Sequence, residues 1–213
     1  MSMLRYSVSI SLDGFVAGAN QGPDHPLGDG GERLHQWMRG LAVWRQQAGL
    51  EGGETNASTA VLEEEDRNIG AIIMGRNMFG GTGDWGDGSW RGWWGANPPF
   101  HMPVFVVTHH ARPVLVMDGG TTFTFVEGGI LAALDLAREA AHGADVALSG
   151  GAGTAKQYLV AGLVDEVALH LVPTFLGEGV RLFDDPRLRD VSFEILRVVA
   201  APDVTHLTYR VGS

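Results

Sequence analysis

Apolar positions recur along this chain with two different periods. Residues 5–10 alternate apolar and polar side chains and are rich in β-formers, which predicts a half-buried strand. Residues 69–74, 104–107 and 146–148 are short, nearly continuous apolar runs, the composition of strands buried on both faces. Two short strands are expected at 114–117 and 122–126 and a long one at 164–172, broken by Asp165, Glu166 and His170. Residues 191–200 and 204–211 read as a closing hairpin turned by Ala201-Pro202-Asp203. Helical spacing predicts helices over 32–47, with Leu34, Trp37, Met38, Leu41 and Trp44 on one stripe, and over 56–68. A third helix is expected over 129–142, with Leu131, Leu134 and Ala137 facing in. A fourth starts at Thr154 as its cap and carries Tyr158, Leu159 and Leu163 on its stripe. Strands alternate with helices for most of the length. That argues an α/β domain with a largely parallel sheet, and no repeat or linker divides residues 1–213.

Two junctions between elements carry candidate chemistry. The run 146–148 leads into Ser149-Gly150-Gly151-Ala152-Gly153-Thr154 and then into a helix. Glycines let the backbone turn sharply there, and the helix N-terminus presents N–H groups and a positive dipole end, so the turn can hold a phosphate. The dinucleotide fingerprint would need a third glycine where Lys156 stands, and no Gly-Lys-Ser/Thr phosphate loop is present. The strand 69–74 ends in the same way, in Gly75-Arg76-Asn77-Met78-Phe79, where Arg76 could clamp a phosphate through its planar fork or simply lie on the surface.

Other stretches are open to more than one reading. Residues 11–18, with Gly14 and Gly18, are either an extended segment beside a ligand or a bulged strand. The run Glu63-Glu64-Glu65-Asp66 is most simply a solvated helix face. Residues 80–102 are glycine-rich and hold Trp85, Trp90, Trp93 and Trp94, a long loop that must fold onto something, with core packing or a dimer interface favoured over direct stacking on a ligand. His109 and His110 point to opposite sides of an extended chain and make a poor metal pair; no metal site is expected. His170 is either a satisfied core histidine or a group lining a cleft.

Composition narrows the function classes. With 45% hydrophobic and 19% charged residues the chain is globular rather than disordered. A formal charge of −10 with only 15 basic residues and no basic run argues against a nucleic-acid partner. There is no cysteine, so thiolate chemistry and disulfides are out. No signal peptide and no membrane span are legible, and a cytoplasmic protein is expected.

Four segments together resemble the dihydrofolate reductase superfamily, which includes the pyrimidine reductase domain of riboflavin biosynthesis. They are Ser11-Leu12-Asp13-Gly14-Phe15-Val16-Ala17, Met74-Gly75-Arg76-Asn77-Met78-Phe79, Val106-Val107-Thr108-His109 and Ser149-Gly150-Gly151-Ala152-Gly153-Thr154. A later run, Leu163-Val164-Asp165-Glu166-Val167 through Pro173-Thr174-Phe175-Leu176-Gly177-Glu178-Gly179-Val180-Arg181-Leu182-Phe183, is similar to the riboflavin branch. The resemblance implies a three-layer sandwich whose central, mostly parallel sheet ends in a C-terminal antiparallel hairpin. It implies an NADPH-dependent reductase. Gly75, Arg76, Met78, Thr108 and His109 would hold the adenosine 2′-phosphate side, and Gly150, Gly151, Ala152, Gly153 and Thr154 the pyrophosphate. Val16 and Ala17 would lie by the nicotinamide, and Asp13, Ser149 and His170 by the substrate. No catalytic proton donor is assigned.

The sequence departs from both branches. Neither Glu32 nor Asp29 stands where dihydrofolate reductases carry the acid that holds the pterin, and His170 takes the place of their strand threonine. Ser149 replaces the glutamate that precedes the double glycine in the riboflavin branch, and Met78 replaces a threonine. A deaminase domain's zinc-binding His and Cys motif is not found. The leading expectation is a reductase of a small nitrogen heterocycle, similar to 5-amino-6-(5-phosphoribosylamino)uracil reductase. Dihydrofolate reductase and a non-catalytic nucleotide- or ligand-binding protein are the alternatives. The branch commonly forms homodimers, and the Trp-rich loop offers apolar surface for one.

Overall fold

The computed structural model describes residues 2–22, 24–80, 85–86 and 88–212. In chain order its elements are β1 (Leu4–Ser11), β2 (Phe15–Ala17), a 3-10 turn (Gly31–His35), α1 (Gln36–Arg39), α2 (Ala42–Gln47), α3 (Ala57–Glu65), β3 (Ile69–Gly75), α4 (Arg76–Phe79), β4 (Pro103–Val107), β5 (Leu115–Val116), β6 (Thr122–Val126), α5 (Gly129–Ala140), β7 (Asp145–Gly150), α6 (Ala152–Val160), β8 (Glu166–Val172), β9 (Val180–Arg181), β10 (Ser192–Ala201) and β11 (Val204–Gly212). Nine strands form one sheet in the order β10-β11-β8-β1-β7-β3-β4-β6-β5, and β2 pairs with β9 in a small antiparallel sheet. The pairs around β1, β3, β4 and β7 are parallel, while β11 runs antiparallel to both β8 and β10. This is the expected architecture, including the C-terminal hairpin. Among the described residues no helix is long and apolar enough to cross a membrane.

The two faces of the sheet differ. Under α5 and α6 lies one continuous apolar cluster that includes Leu4, Tyr6, Ile73, Leu134, Leu148 and Leu159. On the other face the apolar cover is split. One cluster gathers Ile72, Met74, Phe79, Val104, Val106 and Phe123, and a second gathers Leu34, Trp37, Leu41, Val172 and Val204. Between them run the polar positions of β1, since a strand sends alternate side chains to opposite faces.

The Trp-rich loop closes over the first of these clusters, so the core-packing reading describes it; residues 81–84 and 87 lie outside the described residues. Trp90 Nε1 donates to the Phe79 carbonyl (3.0 Å), Trp93 Nε1 to Met78 (2.9 Å) and Trp85 Nε1 to His110 (2.9 Å). Each indole thus buries its ring while its N–H finds an acceptor.

Three expectations need correction. The helix expected over 32–47 is broken into the 3-10 turn, α1 and α2. At the break Leu41 is extended, and the Gly40 carbonyl and Ala42 N–H bond Glu54 instead of continuing the helix (2.9 Å each). Thr154 does not cap α6. Gly151 occupies that position without any side-chain bond, and Thr154 lies in the first turn. In α5 the buried stripe is Ala133, Leu134 and Ala137 with Ile130 packed beside it, while Leu131 is 61% exposed. One residue on from Ile130 is roughly 100° around the helix, which carries Leu131 out of the core. Truncating Leu134, 1% exposed, to Ala should therefore cost about 2–5 kcal/mol of unfolding free energy. Leu131→Ala should stay within about 0.5 kcal/mol. Urea unfolding of the two variants checks the assignment; equal losses would refute it.

Candidate active site

β3 and β7 are parallel neighbours with Met74 opposite Gly150, so the two strand-to-helix turns lie side by side. A Cβ on Gly75 would stand 2.2 Å from Thr154 Oγ1, so only glycine lets the turns meet this closely. Gly150 has φ +117°, and the Gly150–Gly151 peptide is cis. A Cβ on Gly151 or Gly153 would meet nothing within 4 Å, which leaves open room over the N-terminus of α6. No side chain caps that nine-residue helix. Its first N–H groups and positive dipole end therefore face a roomy, glycine-walled turn, the arrangement that holds a diphosphate. Met78 borders the same turn, its Sδ 3.6 Å from where a Gly150 Cβ would stand.

The ends of β3 and β4 add positive charge. Arg76 bonds the Gly80 carbonyl and lies over the Trp85 ring, its Cζ 3.4 Å from the centroid. Arg112 lies over the same ring at 4.7 Å and donates to the Trp90 and Gly88 carbonyls (2.8 Å each). Burial and the charge of Arg112 push the Arg76 pKa down; burial and Arg91 do the same for Arg112. The Trp85 ring thus gathers two guanidiniums, whose planar forks can meet a phosphate. Thr108 ends β4 and is buried, accepting the His110 N–H (3.1 Å), while His109 is exposed.

On the face where the apolar cover is split there is a cavity of about 520 Å³. Arg5, Ser7 and Ser9 of β1, Ser149 of β7 and His170 of β8 contribute to its lining. Trp37, Leu62, Glu65 and Phe100 are also part of it. Ser149 immediately precedes the double glycine, so the cavity abuts the glycine turn.

A buried polar chain crosses this cavity. Glu65 Oε2 accepts from Ser7 Oγ (2.8 Å) and lies 3.3 Å from His170 Nε2, which is also 2.9 Å from Ser7 Oγ. His170 Nδ1 faces His206 Nδ1 at 2.8 Å, and His206 Nε2 bonds Ser58 Oγ (2.9 Å). Two ring nitrogens at that separation share one hydrogen, so at most one of the two rings is charged. Burial, then the neighbouring His170, pushes His206 down to about 4 and keeps it neutral. Burial alone would raise Glu65, but the hydrogen bond and charge of His170, with Ser7, outweigh it and hold the carboxyl below its usual range. Trp37 packs against both imidazoles and donates to Ser9 Oγ (3.2 Å).

Of the expected site residues, the structure brings Gly75, Met78, Gly150, Gly151, Ala152, Gly153 and Thr154 together, with Arg76, Thr108 and His109 at the adjoining strand ends. Ser149 and His170 meet in the cavity. Val16 packs against the cluster containing Leu148 and Ala152, and Ala17 is buried. Asp13 does not line the cavity. Its carboxylate accepts the Ser11 hydroxyl and the Leu176 and Gly177 N–H groups (3.2 and 2.8 Å), a loop anchor in which desolvation is outweighed by these hydrogen bonds, Ser11 first, and the pKa is held down at about 2. Sequence reasoning missed Arg112, His206 and Glu65. Glu65 is not part of a solvated run: it lies one and two turns beyond Val61 and Ser58, on the inward stripe of α3. Arg5 donates to the carbonyls of Glu64, Glu65 and Arg67, fixing that helix end over β1.

The model of the RibD C-terminal domain matches residues 2–207. The chain belongs to this family. No curated protein matches it. Among solved structures, a protein assigned to riboflavin biosynthesis from Shewanella sp. PV-4 is 20% identical, with 99% of each chain covered and a TM-score of 0.66. The Saccharomyces cerevisiae riboflavin biosynthesis reductase Rib7 is 13% identical over 100% of this chain and 89% of its own, at a TM-score of 0.55. An Enterococcus faecalis dihydrofolate reductase complexed with NADP(H) is 12% identical over 99% and 97%, at 0.54. Identities this low show the shared fold; the family match places the chain among the riboflavin-type reductases rather than the dihydrofolate reductases.

The histidine pair predicts a pH dependence of stability. A group whose folded pKa is depressed to about 4 is protonated in the unfolded chain first as pH falls below its ordinary value, so stability drops through that window. His35, pushed down by burial and Arg39, acts in the same direction. Unfolding free energy should fall by about 2 kcal/mol or more between pH 7.5 and pH 5. His206→Gln should flatten the curve, as read by urea titrations at each pH; an unchanged slope would contradict the assignment.

Proposed function

We propose that this protein is an NADPH-dependent reductase of a small nitrogen heterocycle, similar to the uracil reductase of riboflavin biosynthesis, and that it works in the cytoplasm. The observation that carries the reading is the uncapped N-terminus of α6 packed against the Gly75 turn, with a polar cavity beginning at Ser149. The backbone of Gly150, Gly151, Ala152, Gly153 and Thr154, with Gly75 and Met78, suits the pyrophosphate. Arg76, Arg112, Thr108 and His109 suit the 2′-phosphate side. Val16 and Ala17 are assigned to the nicotinamide side. NADPH would supply a hydride to a C=N or C=O carbon of the heterocycle. The chain's part is to hold that carbon in line and deliver a proton, for which Ser149, Ser7 and His170 are the hydroxyl and imidazole groups of the cavity.

Calorimetric titration with NADPH and NADH tests the reading. Wild type should bind NADPH, and Arg76→Ala should weaken it roughly tenfold or more with little effect on NADH, the loss of one charge-assisted contact. Arg112→Ala should act in the same way. Failure to bind either nucleotide would remove the reductase assignment.

We also propose a homodimer, built on a different surface from the one the sequence suggests, because the tryptophans pack within the chain. The edge strand β10 pairs only with β11 and exposes Phe193, Ile195, Leu196 and Val198. A free edge with this much apolar surface invites a second copy of itself. Light scattering should report a dimer at micromolar concentration and a monomer for Ile195→Glu; a monomeric wild type would reject the proposal.

A further inference from the structure

The charges around the cavity say what kind of substrate fits, given the reductase reading on which this inference rests. Three carboxylates line it, those of Glu65, Asp66 and Glu166. Arg5 is its one lysine or arginine among the described residues, and all fifteen such side chains of the sequence are described. The Arg5 guanidinium is committed to three carbonyls at the end of α3 and lies 3.4 Å from Glu166. His35 also lines the cavity, but burial and Arg39 hold it toward its neutral form. His170, whose charge would be the other positive one in the lining, is engaged by Glu65 at 3.3 Å. Nothing there offers a phosphate dianion an uncommitted cation, and carboxylates outnumber the cations that face them across a partly dehydrated space.

The opposite demand is visible at Glu65. Its Oε2 is taken by Ser7 and His170, while its Oε1 is buried without a hydrogen-bond partner. A carboxylate oxygen left this way carries an unmet desolvation cost, and the terminal torsion of a glutamate is soft enough to turn it toward an arriving donor. Ser7, Ser9 and Ser149 supply neutral hydroxyls along the sheet, and Trp37 and Phe100 supply flat apolar walls. That combination suits a planar ring with N–H groups on its edge.

We propose that the substrate is an unphosphorylated nitrogen heterocycle, neutral or cationic, whose N–H edge is read by Glu65, and that phosphoribosyl compounds are rejected. The Arg76–Arg112 side, where the cofactor's phosphates would sit, carries two guanidiniums while the cavity carries an excess of carboxylates, so the two ligands are sorted by charge. Rejection of a phosphate by surrounding carboxylates is specificity by repulsion as much as by fit.

The test compares 5-amino-6-(5-phosphoribosylamino)uracil with its dephosphorylated ribosylamino counterpart, by calorimetry with and without NADPH. The dephosphorylated compound should bind at least tenfold more tightly. Glu65→Gln should weaken it and narrow the preference. Gln47→Lys, which adds a cation to the lining, should improve binding of the phosphorylated compound. Equal or tighter binding of the phosphorylated compound by wild type, or binding of neither, overturns the proposal. Because these readouts need no turnover, a protein that binds no nucleotide yet prefers the dephosphorylated compound would fail as a reductase and still uphold the binding preference.

Discussion

The alternation of β1 sets the rest of the molecule. Leu4, Tyr6 and Ile10 must be buried under α5 and α6, and this sends Arg5, Ser7 and Ser9 to the opposite face of a strand paired on both sides. Central parallel strands are usually apolar on both faces, because helices cover both. Here the second face presents a guanidinium and hydroxyls that require partners. They find Glu65 and the neighbouring carbonyls at the end of α3, His170 of β8 and Trp37 of α1, partners brought by three different segments. The apolar cover on that side separates into two clusters, and the cavity occupies the gap.

The phosphate turn and the cavity were legible in the sequence to different degrees. The turn is local: strand, glycines and helix follow one another within about a dozen residues, and the same pattern repeats at Gly75. Hence both turns could be recognised before any contact was known, although the role of Thr154 could not. Its Oγ1 is set by Gly75, a contact that spans about eighty residues. The cavity is non-local throughout. His170 meets His206 through strand register, and Glu65 meets Ser7 through a helix end fixed by Arg5. In the sequence Glu65 is one acid among four, and only its helical phase, shared with Ser58 and Val61, separates it from its neighbours. The break at Gly40-Leu41 was hidden for the same reason: the partner that replaces the helical bonds is Glu54, beyond the next glycine-rich turn.

The Trp-rich loop shows composition pointing to the right physics and the wrong surface. Four tryptophans do need cover, but they find it in their own chain: Trp85 against Phe79 and Phe125, Trp94 against Phe123, and Trp90 and Trp93 edge to face, with three indole N–H groups closing onto backbone carbonyls. Trp85 has a second role. With Arg76 and Arg112 both over its ring, it holds together two cations that would otherwise separate. The loop thus builds part of the side proposed for the cofactor while serving as core.

A chain of net charge −10 has to keep its charges apart if it is to take the polyanionic cofactor proposed for it. The fold does this with the sheet. Strand ends β3 and β4 carry the arginine pair, and β7 carries the helix N-terminus, so the attractive potential is gathered at the C-terminal edges of three adjacent strands. The carboxylates facing the cavity come from α3 and β8, on the far side of β1 from the arginines. On the proposed reading, a phosphate-bearing ligand would be drawn toward one side and a ring with donor edges toward the other. The boundary falls at Ser149 and Gly150, where a side chain that lines the cavity is followed by a residue of the glycine turn. The polar face of β1 and the carboxylates that gather over it lie away from the arginines because the alternation of that strand leaves no apolar side chain there to cover.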